Sequence, residues 1–274
     1  MNLRIMSNNI WWCDTNTDAW AARGEDCSAA VRSVGLAKVY AETAPDILGL
    51  QECTMVMTDE LYRNWPEPFP YAILWSRDTP VFYRRDKFEL VDSHCLVYPE
   101  TIPGREGSFN NQRTKSYGIA VLREKTSGKC LVFASTHLWF DYEYRKPHSD
   151  EARVYQLGIC MDKVDELRKK YSCPGIIVGD LNAVYDAPVI ASAFARGYVH
   201  AHDIATEYAA EDHGYHKCDW TDYGPYIPQP FEQGIDHILI AGAPDGFVRR
   251  FERYYSDEYL PLSDHFPVWM DIQY

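Results

Sequence analysis

The sequence lacks any run of roughly eighteen apolar residues, so nothing in it reads as a membrane span. Its eight cysteines include no CxxC pair, which removes zinc-ribbon and thioredoxin-type sites. HExxH, GxSxG, a P-loop and GxGxxG are absent too. With them go the zincins, the nucleophile-elbow hydrolases and the common nucleotide cradles. There is no N-x-Ser/Thr sequon, and the strand-like opening Met-Asn-Leu-Arg-Ile-Met has too short an apolar run for a signal peptide. The expected compartment is the cytoplasm. Positive charge is scarce: 27 Lys and Arg stand against 40 Asp and Glu, a net charge of -13. That excess repels polyanions at long range. A non-specific duplex binder, whose affinity rests on neutralised phosphates, is not expected. A bound cation or a local basic cleft overrides the repulsion, so a nucleic-acid substrate stays open.

What is present is an ordinary globular composition, 46% hydrophobic and 24% charged over 274 residues, which excludes a collagen-like, coiled-coil or disordered chain. No internal repeat, linker or low-complexity block divides it, so residues 1–274 read as a single domain. Leu3–Trp11 and Asp46–Cys53 are short apolar runs of the buried-strand type. Between them lie a polar loop over Cys13–Cys27 and a helix over Ser28–Thr43, with Ala30, Val34, Ala37 and Ala41 as its stripe. A short helix over Met55–Asn64 precedes strands at Tyr71–Trp75, Pro80–Tyr83, Phe88–Leu96, Ser116–Arg123 and Cys130–Leu138. The Thr126–Lys129 turn pairs the last two as a hairpin. Ser149–Tyr171 is the clearest helix, acidic in its first turn and basic near its last, as the helix dipole favours. Gly175–Val178, Ile235–Ile240, Phe247–Tyr254 and Phe266–Ile272 complete the strands, with a helix at Ala187–Arg196 and an irregular stretch over Asp203–Gly234. Many strands and few helices along the whole chain predict packed sheets covered by helices.

The chemistry gathers where apolar strands end. Asn9 follows Ile-Met-Ser-Asn, Glu52 ends DILGLQE, His137 ends LVFASTH, and Asp180 and Asn182 end IIVGDLN. Asp236 opens DHILI, while Asp264 and His265 stand before FPVWMDI. One polar group at a strand end means little, because strand ends meet water. Carboxylates, imidazoles and amides gathered at one rim make an oxygen-rich site that suits a hard cation such as Mg²⁺ or Mn²⁺ better than zinc. A hard cation beside a carboxylate–histidine pair suits phosphoryl-ester hydrolysis: the metal stabilises charge and the pair handles protons.

The stretches RIMSNNI, DILGLQE, STHL, GDLNA, GIDHILI and LSDHFPV, in that order from residue 4 to 268, resemble the endonuclease/exonuclease/phosphatase superfamily. The resemblance implies an α/β (α+β) fold, a four-layer αββα sandwich of two mixed sheets face to face with helices outside. It implies that Glu52 binds the divalent cation, with Asn9 beside it and Asp264 approaching the same ion. His265 would be the general acid/base, held by Asp236. Asp180 would position or activate the attacking water, sharing the proton work with His265. Asn182 would hold a phosphate oxygen and His137 would donate to the phosphate as charge builds. The implied activity is hydrolysis of a phosphoester by in-line attack of water. The alternatives are an endonuclease or exonuclease on DNA or RNA and, in another class, a non-catalytic binding module of the same fold. Such a module should lack one or more of Glu52, Asp180, Asp236, Asp264 and His265, and all five are here.

The remaining polar residues carry two readings each. Asn8 should face away from Asn9, and Gln51 is an open candidate for a partner of Glu52. His237 reads as a packed strand residue, and His94, His148, His200, His202, His213 and His216 as surface or loop residues. Arg105, Arg113, Lys115, Arg145 and Lys146 form either a solvated face or a phosphate-binding rim, with Arg113 the substrate-binding candidate. Trp139 and Phe140 either meet the substrate or belong to the core. Gln112 and Arg113 are candidates by position for the partner of His137. The Tyr98–Lys115 loop and the Asp203–Gly234 segment, with Tyr208, Tyr215, Trp220, Tyr223 and Tyr226, are the expected pocket walls. The expected partner is a small or single-stranded phosphoester and not duplex DNA, and the protein is expected to be a monomer.

Overall fold

The structure is a computed structural model that describes residues 2–208, 234–254 and 256–274. Among these residues, thirteen strands form two mixed sheets. The first sheet holds β1 (Asn2–Asn9), β2 (Ile47–Gln51), β3 (Tyr71–Leu74), β4 (Val81–Arg84), β10 (Glu207–Tyr208), β12 (Val248–Arg253) and β13 (Val268–Gln273), in the order β10-β12-β13-β1-β2-β4-β3. The second holds β5 (Phe88–Val97), β6 (Ser116–Glu124), β7 (Cys130–His137), β8 (Gly175–Asp180), β9 (Val199–His200) and β11 (Asp236–Ala241), in the order β5-β6-β7-β8-β11-β9. The expected hairpin is there as the antiparallel β6–β7 pair. Each sheet has a parallel pair near its centre, β1–β2 in one and β7–β8 in the other.

The layers follow from the period of two along each strand. Ile5, Ile47, Phe133, Ile176 and Val178 point between the sheets, into one apolar cluster. Their neighbours Met6 and Leu48 point outward to α2 (Ala29–Thr43) and α3 (Met55–Arg63). Val132, Ala134 and Ile177 point outward on the other side, to α4 (Ser149–Tyr171) and α5 (Pro188–Ala195). The result is the four-layer αββα sandwich. Burial on both faces is why these strands read as unbroken apolar runs. The sheets come close at Gly49, where a Cβ would lie 2.6 Å from a methyl of Val178.

Three local readings change. The Cys13–Cys27 loop contains a short helix, α1 (Asp18–Ala21), whose Trp20 is buried with both cysteines. Helix α2 buries Ala29, Ser33, Leu36, Ala37 and Tyr40, while Val34 is exposed. The bulk of Leu36 and Tyr40, with a buried arginine on the same face, outweighs the small-residue stripe. The strand at Gly175 runs on to Asp180. Two further short helices lie outside the sheets' centre, α6 (Ala201–Ile204) and a 3₁₀ turn at Asp257–Tyr259.

Candidate active site

The parallel pairs bring their ends to one rim. In the first sheet Asn9 is level with Gln51, and Glu52 follows. In the second, His137 is level with Asp180, which is in turn level with Asp236 across the β8–β11 pair. Glu52 and Asn182 both adopt left-handed backbone, at φ 58° and 50°. For non-glycine residues that conformation is sparsely populated and costs about 1–3 kcal/mol, and it clusters at functional sites. Here it turns the chain out of each strand end. The glycine of GDLN is required: a Cβ on Gly179 would lie 1.9 Å from the Thr136 carbonyl oxygen.

Hydrogen bonds within and between the two sheets assemble the centre. Asn9 Nδ2 donates to Glu52 Oε1 at 3.3 Å and to Asp180 Oδ2 at 3.0 Å. The Trp12 amide donates to Glu52 Oε2 at 2.7 Å, and the Asn182 amide to Asp180 Oδ1 at 2.8 Å. His265 Nδ1 lies 2.8 Å from Asp236 Oδ2. A carboxylate only accepts, so Nδ1 carries a proton and Nε2 is left to face Asp180 and Asp264. That Nε2 is 3.9 Å from Asp180 Oδ2 and 4.0 Å from Asp264 Oδ1. The Ser263 hydroxyl donates to the Asn9 carbonyl at 2.7 Å and ties the Ser-Asp-His turn to β1.

Burial sets the electrostatics. It pushes the Asp180 carboxyl up to about 6, with Asp236 adding and His265 opposing. It pushes Asp264 up to about 7, with Glu52 and Asp180 adding and His265 opposing. Burial works against a charged His265, yet Asp236 and then Asp264 hold its imidazole well above the usual range. Burial, then Lys115 and His265, drive His137 well below it.

Among the described residues no group of three His, Cys, Asp or Glu side chains forms a ready ligand cage. The donors still suit a hard cation. Glu52 and Asp264 offer carboxylate oxygens and repel one another. Asp264 Oδ1 is buried without a hydrogen-bond partner among the described residues, a state that a cation relieves.

Other expected residues fall elsewhere. Trp139 is 3% exposed, packed with Ile102, Phe109 and Ala152, and its indole N–H donates to Ser149 Oγ at 3.1 Å. It is a core residue and offers no face to a substrate; Phe140, beside it, is 50% exposed. Arg113 lies exposed in its loop, and Arg105 is paired with Glu151 at 2.6 Å. Asn182 Nδ2 donates to the Leu138 carbonyl at 3.1 Å. Gln51 bonds Ser7 and Ser135, linking the sheets without touching Glu52. Asn8 faces away and accepts from Tyr40 and Tyr259. His200 is buried against His237, 3.1 Å between ring nitrogens, and is no surface residue. Tyr215, Trp220, Tyr223 and Tyr226, with His213 and His216, lie outside the described residues.

Lys115, expected only as one of a basic group on a solvated face or phosphate-binding rim, and Arg32, not singled out from the sequence, are both buried. Lys115 Nζ lies 2.6 Å from His137 Nε2. The available signal was its place immediately before the apolar strand SYGIAVL. Arg32, 1% exposed, donates to the carbonyls of Ile10, Trp11, Cys13, Cys27 and Leu262. It thereby fixes both the turn behind Glu52 and the turn before Asp264.

Residues 9–265 match the model of the Endonuclease/Exonuclease/phosphatase family, and the chain belongs to that family. Over 196 residues it is 20% identical to the CCR4-Not complex 3'-5'-exoribonuclease subunit Ccr4 of Mycosarcoma maydis, a match covering 67% of this chain. The chain spans about a quarter of that relative, 27% of its length. Among solved structures it resembles an endonuclease/exonuclease/phosphatase family protein from Bacteroides thetaiotaomicron, with TM-score 0.76, 21% identity, and 99% and 95% of the two chains covered. It also resembles a mannosyl-6-phosphatase from the same organism, with TM-score 0.74, 20% identity, and 99% and 100% covered. D. rerio TDP2 complexed with single strand DNA product matches at TM-score 0.67 and 19% identity, with 100% and 99% covered. These likenesses show the fold.

Proposed function

We propose that this chain is a divalent-metal-dependent hydrolase of phosphoester bonds, using Mg²⁺ or Mn²⁺. The observation that carries this reading is the buried His265–Asp236 pair, 2.8 Å apart, with the other imidazole nitrogen 3.9 Å from Asp180. Glu52 and Asp264 would hold the cation, with Asn9 beside them. Bound there, a hard cation supplies charge neutralisation at the phosphoryl oxygens. Asp180, gripped by Asn9 and by the Asn182 amide, orients the attacking water and accepts its proton. A carboxyl raised to about 6 is a better base near neutrality than an ordinary one. His265, kept protonated by Asp236, gives a proton to the leaving oxygen. Water attacks phosphorus in line with that oxygen.

The substrate is a small or single-stranded phosphoester. The net charge of -13 disfavours a long duplex. The ion pair that engages Arg105 removes part of the expected basic rim. Trp12 and Phe140, 63% and 50% exposed, flank the centre with aromatic faces suited to a base or sugar. The phosphatase and the single-strand-product complex among the structural relatives support the same class.

The test is a turnover screen with Mn²⁺ and Mg²⁺ over p-nitrophenyl phosphate, bis-p-nitrophenyl phosphate, single-stranded RNA, inositol phosphates, sphingomyelin and plasmid DNA. Metal-dependent turnover of a small or single-stranded ester, well above that of plasmid, is expected. Efficient plasmid cutting at physiological salt would return the chain to the nuclease alternative. No turnover of any ester would favour the binding module.

A further inference from the structure

Lys115 is a buried cation with an incomplete set of partners. It precedes β6, where Ser116 lies level with His137 of β7, and so its side chain enters the site beneath that imidazole. Its ammonium carries three N–H donors and no acceptor. Among the described residues the His137 ring is its one hydrogen-bond partner, 2.6 Å away at Nε2, and no carboxylate lies within 4.0 Å of it. Glu52, Asp180 and Asp78 act on it only from farther off. Phe140 adds a ring face 5.5 Å from Nζ. A buried ammonium with unused donors is unfavourable unless an acceptor arrives.

The same contact redefines His137. Because the ammonium can only donate, Nε2 of His137 must accept, and the ring proton sits on Nδ1. A nitrogen engaged in that way has no proton to offer a phosphate. His137 Nε2 also lies 3.4 Å from Asp180 Oδ2 and 3.9 Å from Glu52 Oε1, so the ammonium stands one imidazole nitrogen away from both carboxylates. The anion that the reaction brings to this point is a phosphoryl oxygen.

We propose that Lys115 is the phosphate-binding cation of this site, donating to a nonbridging phosphoryl oxygen, and that His137 is the positioning residue that aims it. The inference rests on the phosphoester reading above and assigns its phosphate contact. It transfers no proton and forms no covalent bond; one neutral acceptor and one cation pre-organise a charge-assisted hydrogen bond.

The experiment titrates inorganic phosphate into the Mg²⁺-loaded protein by calorimetry, beside KM and kcat for p-nitrophenyl phosphate and Mn²⁺ affinity. Lys115→Met keeps the apolar stem and is expected to weaken phosphate binding by about tenfold or more, the usual scale of a charged hydrogen bond, with Mn²⁺ affinity retained. Lys115→Arg should recover part of the loss. His137→Leu should weaken phosphate as Lys115→Met does, while His137→Gln, which keeps an acceptor near Nε2, should not. Lys115→Gln gives the same reading if the methionine variant does not fold. Unchanged phosphate affinity in the folded Lys115 variants, with wild type active, overturns the inference and leaves the phosphoester reading standing. A wild type that turns over no phosphoester overturns both.

Discussion

The two sheets contribute to the rim by the same device, a polar residue at the end of an apolar strand, yet their contributions differ in burial. The Glu52 and Asp264 side chains, on the first sheet's side, are 27% and 22% exposed. On the second sheet, His137, Asp180 and Asp236 are 2%, 3% and 1% exposed. Open carboxylates suit a cation that keeps part of its water. Burial raises the Asp180 carboxyl to about 6, which suits acid–base work. One topological rule, run at two depths, thus sets the more open carboxylates of the first sheet against a buried proton and phosphate side, which His265, 7% exposed and just before β13, joins from the first sheet. The Asn9–Asp180 and His265–Asp236 hydrogen bonds join them at the rim.

The strongest way to break that division is Asp180→Asn. The amide keeps the shape and accepts from the Asn182 N–H, but it takes no proton from water. Turnover should fall by about 10³-fold, within the range for general acid–base groups, while Mn²⁺ affinity holds. An equal loss of metal affinity, read by calorimetry, would merge the two sides into one.

Arg32→Met tests the metal side's scaffold. The guanidinium satisfies five buried carbonyls, at 2.5 to 3.0 Å, from segments as far apart as residues 10 and 262. Removing it leaves those carbonyls without that partner, and unfolding free energy should drop by about 3 kcal/mol in urea titrations. The turns it ties carry Glu52's amide donor and Asp264, so metal affinity should weaken as well. A stable variant with full metal affinity would show that these turns hold themselves.

The strand-end residues were legible because an apolar run that stops at a carboxylate or imidazole marks a rim. DILGLQE, STH and GDLN all read that way, and β2, β7 and β8 end accordingly. The four layers came from the family resemblance; periodicity alone reached only sheets under helices. Lys115 was hidden in a basic loop, where a lysine ordinarily faces water. Its burial comes from the β6–β7 register, which no local pattern encodes. Arg32 was hidden for the converse reason: an arginine on a helix reads as solvated, and its acceptors converge from loops distant in sequence. Trp139 misled by adjacency. It follows His137 by two residues, but the chain has turned beneath α4, where the Gln156 side chain accepts from its amide.

Glu52→Ala sharpens the division from the metal side. Mn²⁺ affinity should fall by roughly tenfold to a hundredfold or more, the scale on which ligand surroundings act, and most activity should go with it. High Mn²⁺ should recover part of the turnover, because the Asp180 and His265 groups remain. Phosphate affinity that collapsed even at saturating Mn²⁺ would show Glu52 to be part of the phosphate side too.

Asp78 lies between the two sides and offers the finest test. Burial pushes its carboxyl up to about 6; Arg77 opposes, Glu52 adds, and Lys115 opposes. A carboxyl raised above its unfolded value, about 4, keeps in the folded state a proton that the unfolded chain has released. Its contribution to stability is therefore present below about pH 4 and is lost as pH rises through about 6. Asp78→Asn carries no such charge. Its unfolding free energy relative to wild type, read from thermal unfolding, should rise between pH 5 and pH 7.5 by about 1 kcal/mol. In the Lys115→Met background the margin should widen, because the opposing ammonium is gone. Parallel curves for wild type and Asp78→Asn across that range would show that Asp78 is ionised at no penalty. They would also show that the charge of Glu52 does not reach across the rim.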